Sequence, residues 1–303
     1  MAELNLEFVE ESELYCDGDS EYDLLELFKG DSREEKIAEI MQDPSWPMRY
    51  HLSKIRKNLL SWYAFNPLGT CLEVGAGCGA LTGLLCQKTK NVTAIELTKR
   101  RAEIIQARHA NHDNLTILAG NLKNINLTQK FDYVTCIGVL EYAGRYNNQS
   151  DNPHLDFLLN LKNFLKPAGT LIIAIENKYG LKYWAGAKED HTGRAFDSIE
   201  NYPANQGIRT FSKPELKSLL TQAGLNEQNF YYPLPDYKLP VEIFSDHYLP
   251  SANHNVRPSL LPYHDYAYER EYFFDEQLAN DSIVESQMFD FFSNSFLVFT
   301  SEQ

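Results

Sequence analysis

Residues 70–82 read TCLEVGAGCGALT, an apolar run that ends in three glycines at alternate positions and continues into a helical pattern. Gly75, Gly77 and Gly79 allow a sharp turn and a close approach of the backbone to a ligand. The N–H groups at the start of the following helix offer an electropositive end to polar or anionic groups. This stretch therefore predicts a loop that binds a nucleotide cofactor.

The glycine loop alone does not distinguish between two cofactors. Its spacing, Gly75-x-Gly77-x-x-Ala80, also matches the dinucleotide fingerprint with alanine in third place. Glu73 favours S-adenosylmethionine, because a carboxylate there can accept a hydrogen bond from an ammonium group that S-adenosylmethionine has and NAD lacks. An NAD-dependent oxidoreductase stays open as an alternative.

Four further apolar runs follow the glycine loop. They are residues 92–96, 115–118, 131–137 and 170–176. Glu96 ends the first of these runs, 19 positions after Gly77, where an acid can take the hydroxyls of a ribose. Asn121 follows the second run and offers an amide to the adenine amino group. Glu96 and Asn121 therefore follow two of the apolar runs, where they can bind the ribose and the adenine of a nucleoside.

The motifs Glu-x-Gly-x-Gly-x-Gly, Gly-Asn, Phe-Asp-x-Val and Leu-Lys-Pro-x-Gly-x-Leu, together with Glu96, resemble class I S-adenosylmethionine-dependent methyltransferases over residues 65–176. The chain departs from that family at Asn121, where Asp is more frequent. The cofactor-binding candidates are Glu73, Gly75, Ala76, Gly77, Gly79, Glu96, Leu97, Asn121, Leu122 and Gly138. Glu73 is expected to approach the ammonium group and Glu96 to bind ribose. Asn121 and Leu122 are expected to flank adenine.

Three short segments are also similar to bacterial methyltransferases linked to cell-surface polysaccharide synthesis. They are residues 50–53, 138–142 and 189–193. The leading hypothesis is a methyltransferase that O-methylates a small molecule or a glycan intermediate. A noncatalytic S-adenosylmethionine-binding partner protein is the second alternative, beside the oxidoreductase.

The alternation of strand and helix patterns predicts an α/β, Rossmann-like fold with a doubly wound sheet and ligands at the carboxyl ends of its strands. We expect seven strands, mostly parallel. The sixth is expected near residues 229–232, and the last, at residues 295–300, is expected to be antiparallel as in the family. A helix is predicted to begin at Ser212 and to stop at Gly224, and another covers about residues 283–291.

Two parts of the chain are predicted around this fold. Residues 1–64 are expected to form a helical segment over the cofactor site, with a capping box at Ser32 and a helix over about residues 48–63. Residues 65–303 are expected to form the methyltransferase domain. Its irregular insertions, 177–210 and 233–280, are expected to form a cap, because long aromatic-rich segments without a regular period are often functional lids.

The composition favours a cytoplasmic enzyme. A formal net charge of −14 disfavours nucleic acid as a partner, because such enzymes usually spread a basic face over phosphates. No apolar run reaches the length of a membrane span. The chain has 5 cysteines and no Cys-x-x-Cys pair, so they are interpreted as reduced core residues. The sequence leaves the oligomeric state open.

The catalytic candidates are His191 and Glu141, with Glu176 as a further possible base. The unperturbed pKa of histidine, about 6.5, suits a general base, and Asp190 or another acid is expected to orient the imidazole. Each of these side chains also has a structural alternative. His191 suits a cap or hydrogen bond within the lid, Glu141 a structural hydrogen bond near the methionine end of the cofactor, and Glu176 a strand-end residue that accepts loop N–H groups.

No metal is predicted. Histidines and aspartates occur together late in the chain, at His247, His254, His264, Asp246 and Asp265. Their spacing matches no compact ligand motif, so they are interpreted as surface or interface residues. Tyr263, Tyr266, Tyr268 and Tyr272 form an aromatic tract that suits either core packing or stacking on a sugar.

Overall fold

The computed structural model describes residues 1–9, 18–146, 150–204, 207–251, 253 and 269–302. The chain forms two compact units. The first comprises Met1–Cys136 and Phe164–Gly169, and the second comprises Ile137–Asn163 and Thr170–Gln303.

Nine strands are present among the described residues, and they alternate with helices along most of the chain. The strands are β1 (Glu3–Phe8), β2 (Thr70–Val74), β3 (Asn91–Glu96), β4 (Leu115–Gly120), β5 (Phe131–Ile137), β6 (Leu165–Glu176), β7 (Glu227–Leu234), β8 (Glu242–Ser245) and β9 (Ser295–Ser301). The α-helices are α1 (Ser20–Lys29), α2 (Arg33–Ile40), α3 (Trp46–Leu52), α4 (Asn58–Ser61), α5 (Thr82–Lys88), α6 (Lys99–Arg108), α7 (Ala143–Tyr146), α8 (Pro153–Asn163), α9 (Leu181–Trp184), α10 (Lys213–Gln222), α11 (Glu276–Glu285) and α12 (Phe289–Phe292).

The strands of the first unit are parallel and lie in the order β1-β4-β3-β2-β5. β2 pairs with β3 from Thr70 opposite Asn91 to Val74 opposite Ile95. Four of the five β2 residues are buried, as expected for a parallel strand covered on both faces. The shared direction brings the carboxyl ends of β2 and β3, with Glu96 at the end of β3, to one edge of the sheet.

The second unit contains most of β6 and all of β7, β8 and β9, in the order β6-β9-β7-β8. β9 is antiparallel to both β6 and β7, with Ile173 opposite Val298. The prediction of an antiparallel last strand is therefore confirmed, and strand six is found at β7.

The prediction of seven strands is wrong, because β1 and β8 extend the set to nine. β1 pairs with β4, and its sequence alternates polar residues with Leu4, Leu6 and Phe8, although none of its six residues is fully buried. β8 is four residues long and pairs with β7, and it has one fully buried residue, Phe244. β1 therefore has the alternating pattern of a half-exposed strand, whereas β8 is too short to show a clear period.

Residues 1–64 contain β1 and helices α1 to α4, and two local predictions there are wrong. Ser32 has a φ of 57° and makes no side-chain cap, although α2 still begins after it. The helix predicted over residues 48–63 is interrupted after α3, because Ser53 is extended and its hydroxyl accepts the N–H of Ile55. A 3₁₀ turn at Lys54–Lys57 then leads into α4.

The end of the chain departs from prediction in one place and agrees in another. The helix expected near residues 283–291 is two helices, α11 and α12, separated by Gln287 in the left-handed region with φ 58°. α10 begins as predicted, since the Ser212 N–H and hydroxyl bond to Oε2 of Glu215 and the Glu215 N–H donates back to Ser212. Gly224, with φ 73°, follows its end.

The described part of the chain contains no helix that is both long enough and apolar enough to cross a bilayer. Some predictions fall on residues that the structure does not describe. These residues are His254, His264, Asp265, Tyr263, Tyr266 and Tyr268, together with much of the insertion expected at 233–280.

The two serines predicted to cap helices provide a matched test of this fold. Ser212→Ala removes an observed capping box and is expected to lower the free energy of unfolding by about 1 kcal/mol. Ser32→Ala removes a hydroxyl that makes no cap and is expected to change it by less than about 0.5 kcal/mol. Urea denaturation followed by circular dichroism measures both, and equal losses would contradict the assigned caps.

Candidate active site

The glycine loop after β2 is bonded to the end of β3. The N–H groups of Gly75 and Ala76 both donate to the carbonyl of Ile95, at 2.9 and 3.0 Å. The N–H of Gly77 donates to Oε2 of Glu96 at 2.8 Å. Three consecutive amides of the loop are thus held by the last two residues of β3.

The glycines of the loop differ in what surrounds them. Gly75, Gly77 and Gly79 all have positive φ, at 72°, 57° and 73°. A Cβ at Gly79 would lie 3.0 Å from the ring of His109, so this glycine permits close packing. At Gly77 a Cβ would meet no described atom within 4 Å. The loop therefore leaves open space beside the Gly77 backbone.

Two buried carboxylates flank the loop. Glu73 on β2 accepts the Thr82 hydroxyl at 2.6 Å, and burial raises the pKa of Glu73 to about 7. Glu96 accepts the Thr98 N–H at 3.1 Å through its second oxygen, and burial also raises its pKa, against the opposing charge of Arg101. Both acids lie in the first unit.

Asn121 begins the turn after β4. Its Oδ1 accepts the N–H of Lys123 at 3.1 Å and caps the 3₁₀ turn Leu122–Asn124, where Leu122 is buried. Gly138, in the second unit, has a φ of 69°, and a Cβ there would lie 2.7 Å from the Tyr237 hydroxyl oxygen. Glycine is required at this position to admit the tyrosine.

A second polar cluster lies within the second unit and includes the predicted catalytic residues. Nε2 of His191 lies 3.4 Å from Oε1 of Glu141 and 3.7 Å from Oε2 of Glu176. Both glutamates are almost fully buried, and the His191 side chain is 5% exposed. Glu141 follows β5, Glu176 ends β6 and His191 lies in the loop after α9, so the fold brings together residues that are far apart in sequence.

Glu189, which the sequence interpretation missed, orients His191. Its Oε1 lies 2.8 Å from Nδ1 of His191, and its Oε2 accepts the N–H groups of His191 and Thr192 at 2.7 and 2.8 Å. The Tyr202 hydroxyl donates to Oε1 at 3.1 Å. A carboxylate only accepts, so Nδ1 carries a proton and Nε2 faces Glu141 and Glu176.

Of the acids expected to orient His191, Glu189 does so and Asp190 does not, because Asp190 belongs to a neighbouring set of ion pairs. Its carboxylate accepts the Tyr183 hydroxyl at 2.6 Å and lies 2.7 Å from Nζ of Lys182 and 2.9 Å from Nζ of Lys238. Lys238 also pairs with Oε1 of Glu176. Burial opposes ionisation of Asp190, but the two lysines outweigh it and hold its pKa well below the usual range.

Burial and neighbouring charges also act in opposite directions on the pKa values of His191 and Glu141. Burial lowers the pKa of His191, but the carboxylates of Glu189 and Glu176 outweigh it and hold that pKa well above its usual value. Burial raises the pKa of Glu141, with the His191 imidazole acting in the opposite direction. The pKa values of these two groups therefore depend on each other's charge as well as on burial.

A family model described as a methyltransferase domain matches residues 72–171. This segment is similar to methyltransferase domains. It includes the glycine loop, Glu96 and the strands from β3 to β5. Its cofactor is S-adenosylmethionine.

Curated relatives of the methyltransferase domain are similar over part of their length. The chain is 30% identical to the ubiquinone biosynthesis O-methyltransferase of Rickettsia akari, over 38% of this chain and 43% of the relative. It is 25% identical to the malonyl-[acyl-carrier protein] O-methyltransferase of Priestia megaterium, over 39% and 40%. The chain spans about two fifths of the length of these relatives. Neither relative is an oxidoreductase.

Among solved structures, an S-adenosylmethionine-dependent methyltransferase from Clostridium acetobutylicum aligns with a TM-score of 0.48 at 14% identity. The alignment covers 88% of this chain and 98% of that one.

The residues of the methyltransferase domain fit S-adenosylmethionine in three respects. The backbone of Gly77 borders open space, where a side chain would stand in any other residue. Glu96 places a buried carboxylate at the end of β3. The carboxylate of Glu73 is buried one residue before the end of β2, and it gains a charge partner if an ammonium group approaches.

The predicted site residues fall into two groups. Those of the first unit are Glu73, Gly75, Ala76, Gly77, Gly79, Glu96, Leu97, Asn121 and Leu122. Those of the second unit are Gly138, Glu141 and His191, joined there by Glu176. Glu189, Tyr202 and Lys238 complete the second group, and only Glu189 had a sequence signal, as an acid two residues before His191.

The pKa of Glu73 generates a prediction about cofactor binding. Its carboxyl loses a proton as pH rises through about 7, and only the ionised form carries the charge that an ammonium group would meet. Between about pH 6 and pH 8 the affinity for S-adenosylhomocysteine is expected to rise by up to about 10-fold. Glu73→Gln is expected to remove this rise, and Glu103→Gln, on α6, to retain it.

Isothermal titration calorimetry at several pH values measures this effect. A flat profile in the unmodified protein, or an unchanged rise in Glu73→Gln, would contradict the role given to Glu73.

Proposed function

We propose that this chain is an S-adenosylmethionine-dependent methyltransferase that transfers the methyl group to an oxygen of a small molecule or glycan intermediate. The observation that carries the proposal is the bond from Gly77 to the buried carboxylate of Glu96, within a segment that matches a methyltransferase domain. A net charge of −14 supports an acceptor other than nucleic acid.

The first unit is assigned to the cofactor. Glu73 is assigned to the ammonium group and Glu96 to the ribose hydroxyls. The remaining contacts in this unit are assigned to the glycine loop with Ala76, to Leu97, and to Asn121 and Leu122 beside adenine. Glu96 retains accepting capacity after its bonds to Gly77 and Thr98, since each carboxylate oxygen has two lone pairs.

The second unit is assigned to the acceptor. When bound, S-adenosylmethionine supplies a methyl group on a sulfonium that is already a good leaving group. The chain then has to align the acceptor oxygen and take up its proton. Oε2 of Glu141 is buried and has no hydrogen-bond partner among the described residues, so it is available to an acceptor hydroxyl. His191, held by Glu189, presents Nε2 beside it.

Two observations support oxygen as the methylated atom. Both curated relatives named above carry O-methyltransferase in their names. The Glu141 and Glu176 carboxylates next to His191 are proton acceptors, which a hydroxyl needs as its proton leaves. The similarity of residues 138–142 and 189–193 to polysaccharide-linked methyltransferases supports a glycan intermediate, since those residues supply Glu141 and His191.

The segment 177–210 supports the proposed cap. It contains only one short helix, α9, among its described residues, yet Tyr183, Tyr202 and Glu189 within it are buried. A long segment with little regular structure that is held together by buried side chains is typical of a functional lid, and here it would cover the acceptor. We extend the same role to residues 233–280, and we keep residues 1–64 as the cover of the cofactor.

The test combines cofactor binding with methyl transfer. Calorimetry with S-adenosylhomocysteine and NAD is performed on the unmodified protein, Glu96→Ala and Glu103→Ala. Glu96→Ala is expected to weaken S-adenosylhomocysteine binding by about 10- to 100-fold, the value of one charge-assisted hydrogen bond. Glu103→Ala is expected to bind like the unmodified protein. Binding of NAD in place of S-adenosylhomocysteine would contradict the proposal and favour the NAD-dependent oxidoreductase.

Transfer of tritiated methyl from S-adenosylmethionine to a small-molecule extract tests catalysis. His191→Ala is expected to lower turnover by about 100-fold or more, the range of general acid–base catalysis, with little change in S-adenosylhomocysteine affinity. The exposed His247 provides the matched control, His247→Ala. Full turnover by His191→Ala would remove it as a catalytic residue, and cofactor binding with no transfer to any fraction would favour a noncatalytic binding protein.

A further inference from the structure

Three side chains of the second unit point potential metal-ligand atoms at one position. Glu141, Glu176 and His191 each offer one such atom, and the three atoms lie within 4.8 Å of one another. They come from the ends of β5 and β6 and from the loop after α9. Two carboxylates and an imidazole form a mixed ligand set that first-row divalent cations accept.

The distances within this group suit a single ion. Nε2 of His191 lies 3.4 Å from Oε1 of Glu141 and 3.7 Å from Oε2 of Glu176. Two ligand atoms about 2.1 Å from a tetrahedral metal are about 3.4 Å apart. These separations exceed a good hydrogen bond and match the edge of a coordination polyhedron.

Unpartnered oxygens provide an independent observation. Oε2 of Glu141 and Oε2 of Glu176 are buried and have no hydrogen-bond partner among the described residues. Glu141 is 1% exposed and Glu176 is fully buried. A buried carboxylate oxygen without a partner carries a large desolvation cost, which a coordinated cation removes.

The surroundings hold the three ligands in place. Glu189 accepts Nδ1–H of His191 at 2.8 Å, which fixes the tautomer and turns Nε2 toward the glutamates. Lys238 binds the other oxygen of Glu176, Oε1, and leaves Oε2 facing His191. A carboxylate behind the imidazole is the usual outer partner of a metal-bound histidine.

The charges around the group also favour a cation. Asp190 and Asp236 lie beside Lys182 and Lys238, so these four groups largely compensate one another. Glu141, Glu176 and Glu189 remain as further carboxylates around one imidazole. A dication offsets this negative charge further than a proton on His191 does.

We propose that Glu141, Glu176 and His191 bind one first-row divalent cation, with Glu189 as the positioning residue behind the imidazole. This departs from the sequence prediction of no metal, which considered only the histidines and aspartates late in the chain. Three protein ligands leave a coordination position open, as in catalytic sites. The open position suits an acceptor oxygen, and this last step rests on the proposed methyl transfer.

The test is a titration of EDTA-treated, dialysed full-length protein with MnCl₂, in which free Mn²⁺ is followed by electron paramagnetic resonance. One saturable site per chain is expected. Glu176→Gln and His191→Ala are each expected to weaken Mn²⁺ binding by at least about 100-fold, and Glu189→Gln by about 10- to 100-fold. The exposed residues Glu227 and His247 provide matched controls, Glu227→Gln and His247→Ala, which are expected to retain the affinity.

Two further measurements keep the test decisive. Circular dichroism and S-adenosylhomocysteine affinity show whether each variant is folded. If His191→Ala is unfolded, the test rests on Glu176→Gln, which keeps the shape of the side chain. ZnCl₂ is expected to displace bound Mn²⁺, because zinc binds more tightly to such ligands.

The outcomes separate this proposal from the proposed function. Absence of a saturable Mn²⁺ site, or equal binding by Glu176→Gln and the controls, overturns the metal site even if methyl transfer is found. The first result would mean that an imidazolium occupies the cluster in place of a metal, and the second that Mn²⁺ binds to surface carboxylates. Mn²⁺ binding lost in Glu176→Gln supports the site even if no methyl transfer is found.

Discussion

The bond from the Gly77 N–H to the Glu96 carboxylate closes the glycine loop against the end of β3. It depends on the parallel pairing of β2 with β3, which places Val74 opposite Ile95 and lets the next two amides reach the Ile95 carbonyl. Burial makes the bond strong and makes Glu96 costly to leave unpaired. Bonds within the protein thus fix the shape of the glycine loop, and a loop of fixed shape has a lower entropic cost of binding.

In the second unit, too, a buried carboxylate holds a loop in place. Glu189 satisfies two backbone N–H groups and one ring nitrogen, so the loop that carries His191 is fixed by a single carboxylate. Glu141 and Glu176 then face the imidazole ring of His191, whose orientation is fixed by Glu189. Such a group of buried acids is stable only with cations among it, and Lys238 and His191, or a metal, supply that charge.

The sequence predicted features that follow from apolar runs and glycines, and missed features that depend on the path of a loop. Central strands such as β2 are buried on both faces, and Gly77 needs a backbone that few other residues adopt. β1 was missed although Leu4, Leu6 and Phe8 alternate with polar residues, a strand pattern that six residues near an acidic segment show only briefly. Whether Glu189 or Asp190 reaches His191 depends on the backbone conformation of the loop that carries all three residues. The spacing of the residues in the sequence does not reveal that conformation.

Nuclear magnetic resonance of the backbone amides, during titration with S-adenosylhomocysteine and separately with NAD, tests the central claim most directly. The account predicts that S-adenosylhomocysteine produces saturable shifts at the amides of Gly75, Gly77 and Glu96, while NAD leaves these amides unchanged. Unshifted loop amides in the presence of saturating S-adenosylhomocysteine, or equal shifts with NAD, would contradict it.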